Sequence, residues 1–269
     1  MSRLQKYFQE IISKGRKIFI PYITLGDPSF NTTIKIADIL VSAGADALEI
    51  GIPFSDPLAD GPTIQKAVTR ALRNNISIED GFKFLKKFQN KRPVIFMSYL
   101  NPILTYGIKR FFTTAKKLNL AGVVIPDLPV EEAKEIRSLA KRNGVALSLF
   151  VSPTTSLFRA KIIDRMSDGF IYYISVTGVT GIREKLPSQL IEDLNTVKKI
   201  ITKPLCLGFG ISHSSQIKKI KKYVDGIIVG SAIVLRIENN IGNFYKMKKE
   251  IFDFANSLRI ALDEEDIGS

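Results

Sequence analysis

Two apolar spacings alternate along this chain eight times, and few folds can accommodate that. Short runs in which nearly every residue is apolar lie at 18–24, 47–51, 94–99, 122–126, 146–151, 170–175, 205–209 and 226–229. Between them apolar residues recur at intervals of three and four, as Ile36, Ile39, Leu40 and Ala43 do, or Ala133, Ile136, Leu139 and Ala140. A run that is apolar on both sides of its alternation is a parallel strand covered on both faces, and the intervening spacing is that of an amphipathic helix. Asn143-Gly144 ends the second of those helices, since glycine accepts the left-handed conformation that closes a helix. Eight such units in 269 residues predict a single (β/α)8 barrel domain over 1–269, with an additional N-terminal helix carrying Phe8, Ile11 and Ile12. The competing arrangement, an open doubly wound sheet, calls for a G-x-G-x-x-G turn after the first strand, and none is present. The acidic end, 263–269, is expected to fray.

In such a barrel, function collects where strands end and loops begin. The second strand carries one carboxylate, Glu49, where burial costs several kcal/mol or forces proton uptake. It is either half of a buried ion pair or a tuned acid–base group. The following loop holds prolines at 53, 57 and 62, which fix three backbone φ angles and aim Asp60. Asp27, Tyr99, Asn101, Asp127 and Tyr172 fall at the same end of their strands. Asp127, before Leu128-Pro129, reads equally as a turn former. The glycine turns 207–212 and 229–233 follow strands seven and eight, which is the recurring phosphate position of barrels; Gly210, Gly230 and Ser231 would bring backbone N–H groups to an anion there. The Gly- and Thr-rich stretch 176–181 reads as a mobile lid over the mouth.

Composition removes several alternatives. The chain has no run of eighteen apolar residues, so no membrane span is expected. Its first residues resemble neither a signal nor a transit peptide, which points to the compartment of synthesis, a cytoplasm or, for a plastid-encoded chain, the stroma. The net charge of +13 resides largely on helix faces; Lys218, Lys219, Lys221 and Lys222 read as solvated, and no nucleic-acid module is apparent. With one histidine, His213, and one cysteine, Cys206, no metal site is expected, although Glu49, Asp56, Asp60 and Asp127 could in principle hold Mg²⁺. His213 is expected exposed and Cys206 buried as a small hydrophobe. No lysine lies within strands two to eight, which argues against Schiff-base chemistry. Carboxylate acid–base chemistry on a phosphorylated small molecule remains.

Residues 48–64 resemble the signature of the tryptophan synthase alpha subunit family, and Gly178-Val179-Thr180-Gly181, Gly208-Phe209-Gly210 and Gly230-Ser231-Ala232 match its later motifs in order. The resemblance implies a barrel lyase that cleaves indole-3-glycerol phosphate to indole and glyceraldehyde 3-phosphate. It implies catalytic roles for Glu49 and Asp60, and substrate contacts from Tyr22, Tyr99, Tyr172, Thr180, Gly181, Phe209, Gly210, Gly230 and Ser231. Tyr22 stands where phenylalanine is common, and Val176 where some members carry arginine. No cofactor is implied in this chain. A beta subunit carrying pyridoxal phosphate is implied as partner in an α2β2 tetramer, met through Pro53, Asp56 and Asn101. A phosphate-binding barrel isomerase and a catalytically silent activating subunit are the competing readings.

Overall fold

The computed structural model describes residues 1–174, 188–208 and 210–264. Eight parallel strands close on themselves in chain order, each bonded to its sequence neighbours and the last to the first. They are β1 Ile18–Thr24, β2 Leu48–Gly51, β3 Val94–Met97, β4 Gly122–Val124, β5 Ala146–Val151, β6 Ile171–Ile174, β7 Leu205–Gly208 and β8 Gly226–Val229. Twelve α-helices are described around them. In chain order, α1 to α6 are Arg3–Ser13, Phe30–Ser42, Pro62–Arg73, Ile78–Lys87, Leu100–Tyr106 and Ile108–Lys117. Helices α7 to α12 are Ala133–Arg142, Leu157–Met166, Ser188–Lys198, Ser214–Ile220, Ser231–Asn239 and Phe244–Asp263. Local chemistry sets many of the boundaries. Ser2, Ser29, Ser156 and Asn243 each accept a backbone N–H of the first turn they precede, Pro62 opens α3, and Gly144 follows α7 at φ +72°.

The two-residue alternation of each strand divides the apolar side chains between two environments. Phe19, Ile23, Leu48, Ile50 and Phe96 pack outward against the helices. Ile18, Ile20, Ala47, Ile95, Val124, Ala146 and Cys206 form a separate cluster together with Leu4 and Phe8 of α1. The N-terminal helix therefore packs against the barrel's interior residues at its amino end. Gly122 leaves room for it, since a Cβ there would lie 3.0 Å from Leu4 Cδ2. Glu49 is two residues beyond Ala47, so the same alternation turns it inward, in register with Tyr22 on β1 and Ile95 on β3.

Three expectations are corrected. The strand read over 94–99 ends at Met97, and Tyr99 becomes the residue that caps α5. Lys221 is buried, with its ammonium donating to the Glu264 carbonyl, where a solvated lysine was expected. Asp263, read as the start of a frayed end, is instead the last residue of α12 and is held by Arg259 at 2.6 Å; 265–269 lie outside the described residues. Cys206 is buried and His213 exposed, as expected. Among the described residues no helix is long and apolar enough to cross a membrane, and no metal-holding cluster of His, Cys, Asp or Glu occurs.

Candidate active site

The mouth of the barrel is built by residues that the strand pleat turns inward. Glu49 is 1% exposed and, among the described residues, has no cationic partner and no hydrogen-bond partner for its Oε2. Burial, reinforced by the nearby Asp60 charge and opposed by the Tyr172 hydroxyl, pushes its carboxyl up to about 8. The ion-pair alternative for Glu49 is thereby set aside. Asp60 is raised to about 6, again by burial and opposed by the Tyr99 hydroxyl, which donates to Oδ2 at 3.2 Å. The same hydroxyl accepts from Ala59 N at 2.9 Å, so one side chain grips both the carboxylate and its backbone. Gln65 Nε2 adds a bond to the Asp60 carbonyl at 2.8 Å. Asp60 is thus held on both sides, while the loop before it remains exposed from Ser55 to Asp56 and at Leu58, which is 92% exposed.

Tyr22 is buried and Tyr172 half-buried beside these carboxylates, and desolvation raises both phenols well above their ordinary range, with the carboxylate charges adding to it. Tyr22 shares a 3.2 Å hydrogen bond with Thr24. Both rings fit because glycine faces them: a Cβ on Gly51 would lie 2.1 Å from the Tyr22 hydroxyl, and one on Gly208 would lie 2.3 Å from Tyr172 Cε1. A Cβ on Gly230 would meet Tyr22 Cδ1 at 3.1 Å, so this glycine also accommodates packing. Gly230 and Ser231 open α11 and are only half-buried, leaving that helix start reachable from solvent.

The remaining assignments divide. Thr180, Gly181 and Phe209, with the stretch 176–181 read as a lid, lie outside the described residues. Gly210 follows β7 and is half-buried. Asp56 and Asn101 are exposed. Pro53 is buried, so its ring has little surface to offer a partner, a departure from its expected contact role. Asp127 is exposed and accepts from Leu100 N at 2.9 Å, fixing the entry to α5. Asp27 is 1% exposed and gripped by Arg70 through Oδ1–Nε at 2.7 Å and Oδ2–Nη2 at 2.9 Å. That partner went unread in the sequence, because Arg70 belongs to a helix face with Arg73 and Lys66 that reads as solvated.

A closed parallel barrel with a buried, largely protonated carboxyl beside a second carboxylate at its strand ends is an enzyme of the acid–base class. Comparison with known proteins carries this further. Residues 8–262 match the family model described as tryptophan synthase alpha chain. The tryptophan synthase alpha chain of Carboxydothermus hydrogenoformans is 46% identical over 252 residues, covering 93% of this chain and 94% of that one. That of Thermoanaerobacter sp. (strain X514) is 43% identical over 264 residues, covering 97% and 100%. The crystal structure of tryptophan synthase subunit alpha from Legionella pneumophila str. Paris superposes with a TM-score of 0.90 at 34% identity, covering 98% of this chain and 99% of that one. The chain belongs to the tryptophan synthase alpha chain family, and it is a lyase.

Proposed function

We propose that this chain cleaves indole-3-glycerol phosphate by a retro-aldol reaction in which Glu49 moves the protons and Asp60 steadies the charge. The observation that carries the proposal is the buried Glu49 carboxyl, with Oε2 unbonded and no cationic partner among the described residues, pushed up to about 8 beside Asp60. A carboxyl protonated at neutral pH can deliver its proton to indole C3, which places positive charge on the ring nitrogen. The resulting carboxylate then removes the proton of the carbinol hydroxyl next to C3. The C–C bond breaks, its electrons return to the ring, the carbinol carbon becomes the aldehyde of glyceraldehyde 3-phosphate, and Glu49 regains its starting state. A positioned acid–base group of matched pKa typically contributes ~10²–10⁴ in rate.

Asp60, at about 6, is the more acidic of the two and remains ionised as C3 gains its proton; a fixed carboxylate near the ring N–H stabilises the cation that develops there. Tyr22, Tyr99 and Tyr172 form the pocket wall. Gly210, Gly230 and Ser231 receive the phosphate. These steps need no cofactor in this chain; pyridoxal phosphate belongs to the beta partner, which would meet the mouth around Asp56 and Asn101 in an α2β2 assembly. The test is indole release from indole-3-glycerol phosphate by the purified chain, with and without beta subunit. Formation of indole and glyceraldehyde 3-phosphate in equal amounts is expected. A chain that instead isomerises a sugar phosphate, or only activates its partner, overturns the proposal.

A further inference from the structure

Arg70 is placed to do more than neutralise a buried acid. Its guanidinium reaches three elements at once. It belongs to α3, it grips Asp27 in the loop after β1 with two hydrogen bonds, and its Nη1 lies 3.4 Å from Glu238 Oε1 on α11. Helix α3 begins at Pro62, two residues after Asp60, and helix α11 begins at Ser231 in the turn assigned to the phosphate. The two helices also meet through Ala67 and Val234, which pack with Tyr22 in a small cluster distinct from the main core. At the far end of α3, Asn74 Nδ2 donates to the carbonyls of Gly26 and Pro28 at 3.0 and 2.9 Å. The helix following Asp60 is therefore tied to the β1 loop at two points, and the tie at Arg70 extends on to Glu238 of α11, which Lys66 of α3 also meets, more loosely, at 3.9 Å.

We infer that Arg70 is a positioning residue that sets the spacing between Asp60 and the phosphate-receiving start of α11. This rests on the reading of those two sites given above. The substrate would be held at its ring by Asp60 and at its phosphate by α11, so the scissile bond sits correctly over Glu49 only if both anchors keep their separation. Misplacement of a bound substrate by about 1 Å costs up to ~10²-fold in rate. The fork geometry matters: a guanidinium satisfies two carboxylates in fixed directions, whereas a lysine ammonium is a single flexible point of charge. Glu238 is the member that can be changed most gently, because it is partly solvated and the Asp27–Arg70 pair survives its loss.

The experiment measures indole release and thermal melting for the full chain and for Arg70→Lys, Glu238→Gln and the double variant. Arg70→Lys is expected to lower kcat about 10-fold and raise KM several-fold. Glu238→Gln is expected to raise KM about 3-fold with kcat and Tm close to the parent. The double variant should lose less than the two single effects combined, since Arg70 and Glu238 belong to one tie, with Lys66 a second and looser partner of Glu238. Lowered Tm with parental kcat and KM in Arg70→Lys would make the arginine purely structural and overturn the inference. Should Arg70→Lys fail to fold, Glu238→Gln decides: an unchanged KM overturns it. A parent that releases no indole defeats the underlying reading instead, so the two failures are distinguishable.

Discussion

The two ends of the barrel treat buried carboxylates in opposite ways. At the amino end, each buried or half-buried acid meets a cation. Asp46, just before β2, takes Phe19 N–H and Arg259 Nη1 on Oδ2, both at 3.0 Å, with Arg16 3.8 Å from Oδ1. Asp168 is forked by Arg137, Asp225 is met by Lys198, and Asp164 holds Thr202 and Lys203. At the carboxyl end, Glu49 and Asp60 have no cationic partner among the described residues; Tyr172 and Tyr99 offer only hydroxyls. Asp46 and Glu49 lie three residues apart, and burial raises both. For Asp46 the Phe19 N–H and neighbouring arginines offset part of that rise and the group serves the fold, while Glu49 has no such cation and serves the chemistry. Asp27, at the carboxyl end but gripped by Arg70, is the exception that suggested a positioning role.

The sharpest way to break this contrast is to remove each charge without changing shape. Glu49→Gln is expected to lower indole formation by ~10² or more while raising stability. For an acid whose pKa rises from 4.5 to about 8 on folding, the folded state binds the extra proton, so stability falls as pH climbs through that interval. The glutamine variant escapes the loss. Its advantage should be absent below about pH 4.5 and reach about 4 kcal/mol by pH 8. Asp46→Asn should do the reverse, costing about 3 kcal/mol by leaving Arg259 buried with less compensation, with turnover per folded molecule unchanged. Denaturant titrations of both variants at pH 5 and pH 8, beside indole assays, read the crossing directly. Activity loss in Asp46→Asn, or parental turnover in Glu49→Gln, would erase the distinction between the two ends.

A smaller effect should come from covering the mouth. The loop from β2 to α3 exposes Asp56 and the side chain of Leu58, yet connects Glu49 to Asp60. An exposed apolar side chain on a proline-stiffened rim suits a contact surface, and docking there would bear on the placement of Asp60. Adding beta subunit is expected to raise indole release about 10-fold, equivalent to ~1.4 kcal/mol of coupling, and ligand bound in the barrel should tighten the subunit contact reciprocally. Asp56→Ala should weaken that activation without changing the basal rate of the isolated chain. Equal rates with and without partner would reduce the loop to a structural rim.

Much of this contrast was legible in the sequence, and the illegible part has a common cause. All eight strands were found where apolar runs occur, because a strand covered on both faces leaves a mark that needs no partner to interpret. Glu49 stood out for the same reason, as one charge in an apolar run. What the sequence did not disclose were pairings across the fold: Asp27 with Arg70, 43 residues away, Asp127 with the start of α5, and Lys221 with the end of α12. The placement of Tyr99 depended on a boundary. Ser98 N reaches the Val124 carbonyl, but α5 starts at Leu100, and this change of direction is what accompanies the Tyr99 contact with Asp60. Pro53 was expected at the partner face on the resemblance alone, and the sequence did not disclose that it is buried.

Tyr99 supplies the smallest and most specific test of how the mouth is tuned. Its hydroxyl donates to Asp60 and favours the ionised carboxylate, holding down a value that burial alone would raise further. If Asp60 must be ionised and Glu49 protonated when substrate binds, kcat/KM should be bell-shaped, with apparent limbs near pH 6 and 8 that belong to the coupled pair. Tyr99→Phe removes the donor and leaves Ala59 N–H without its acceptor. The ionised form of Asp60 then loses support, so its pKa rises and the acidic limb moves toward neutrality. The alkaline limb, set by Glu49, should move little. The variant is therefore expected to lose several-fold in kcat/KM at pH 6 and about twofold at pH 8, which a pH profile of indole release would resolve. An acidic limb that stays in place would mean that Tyr99 shapes the pocket wall without tuning the carboxylate, and that the mouth leaves Asp60 to burial alone.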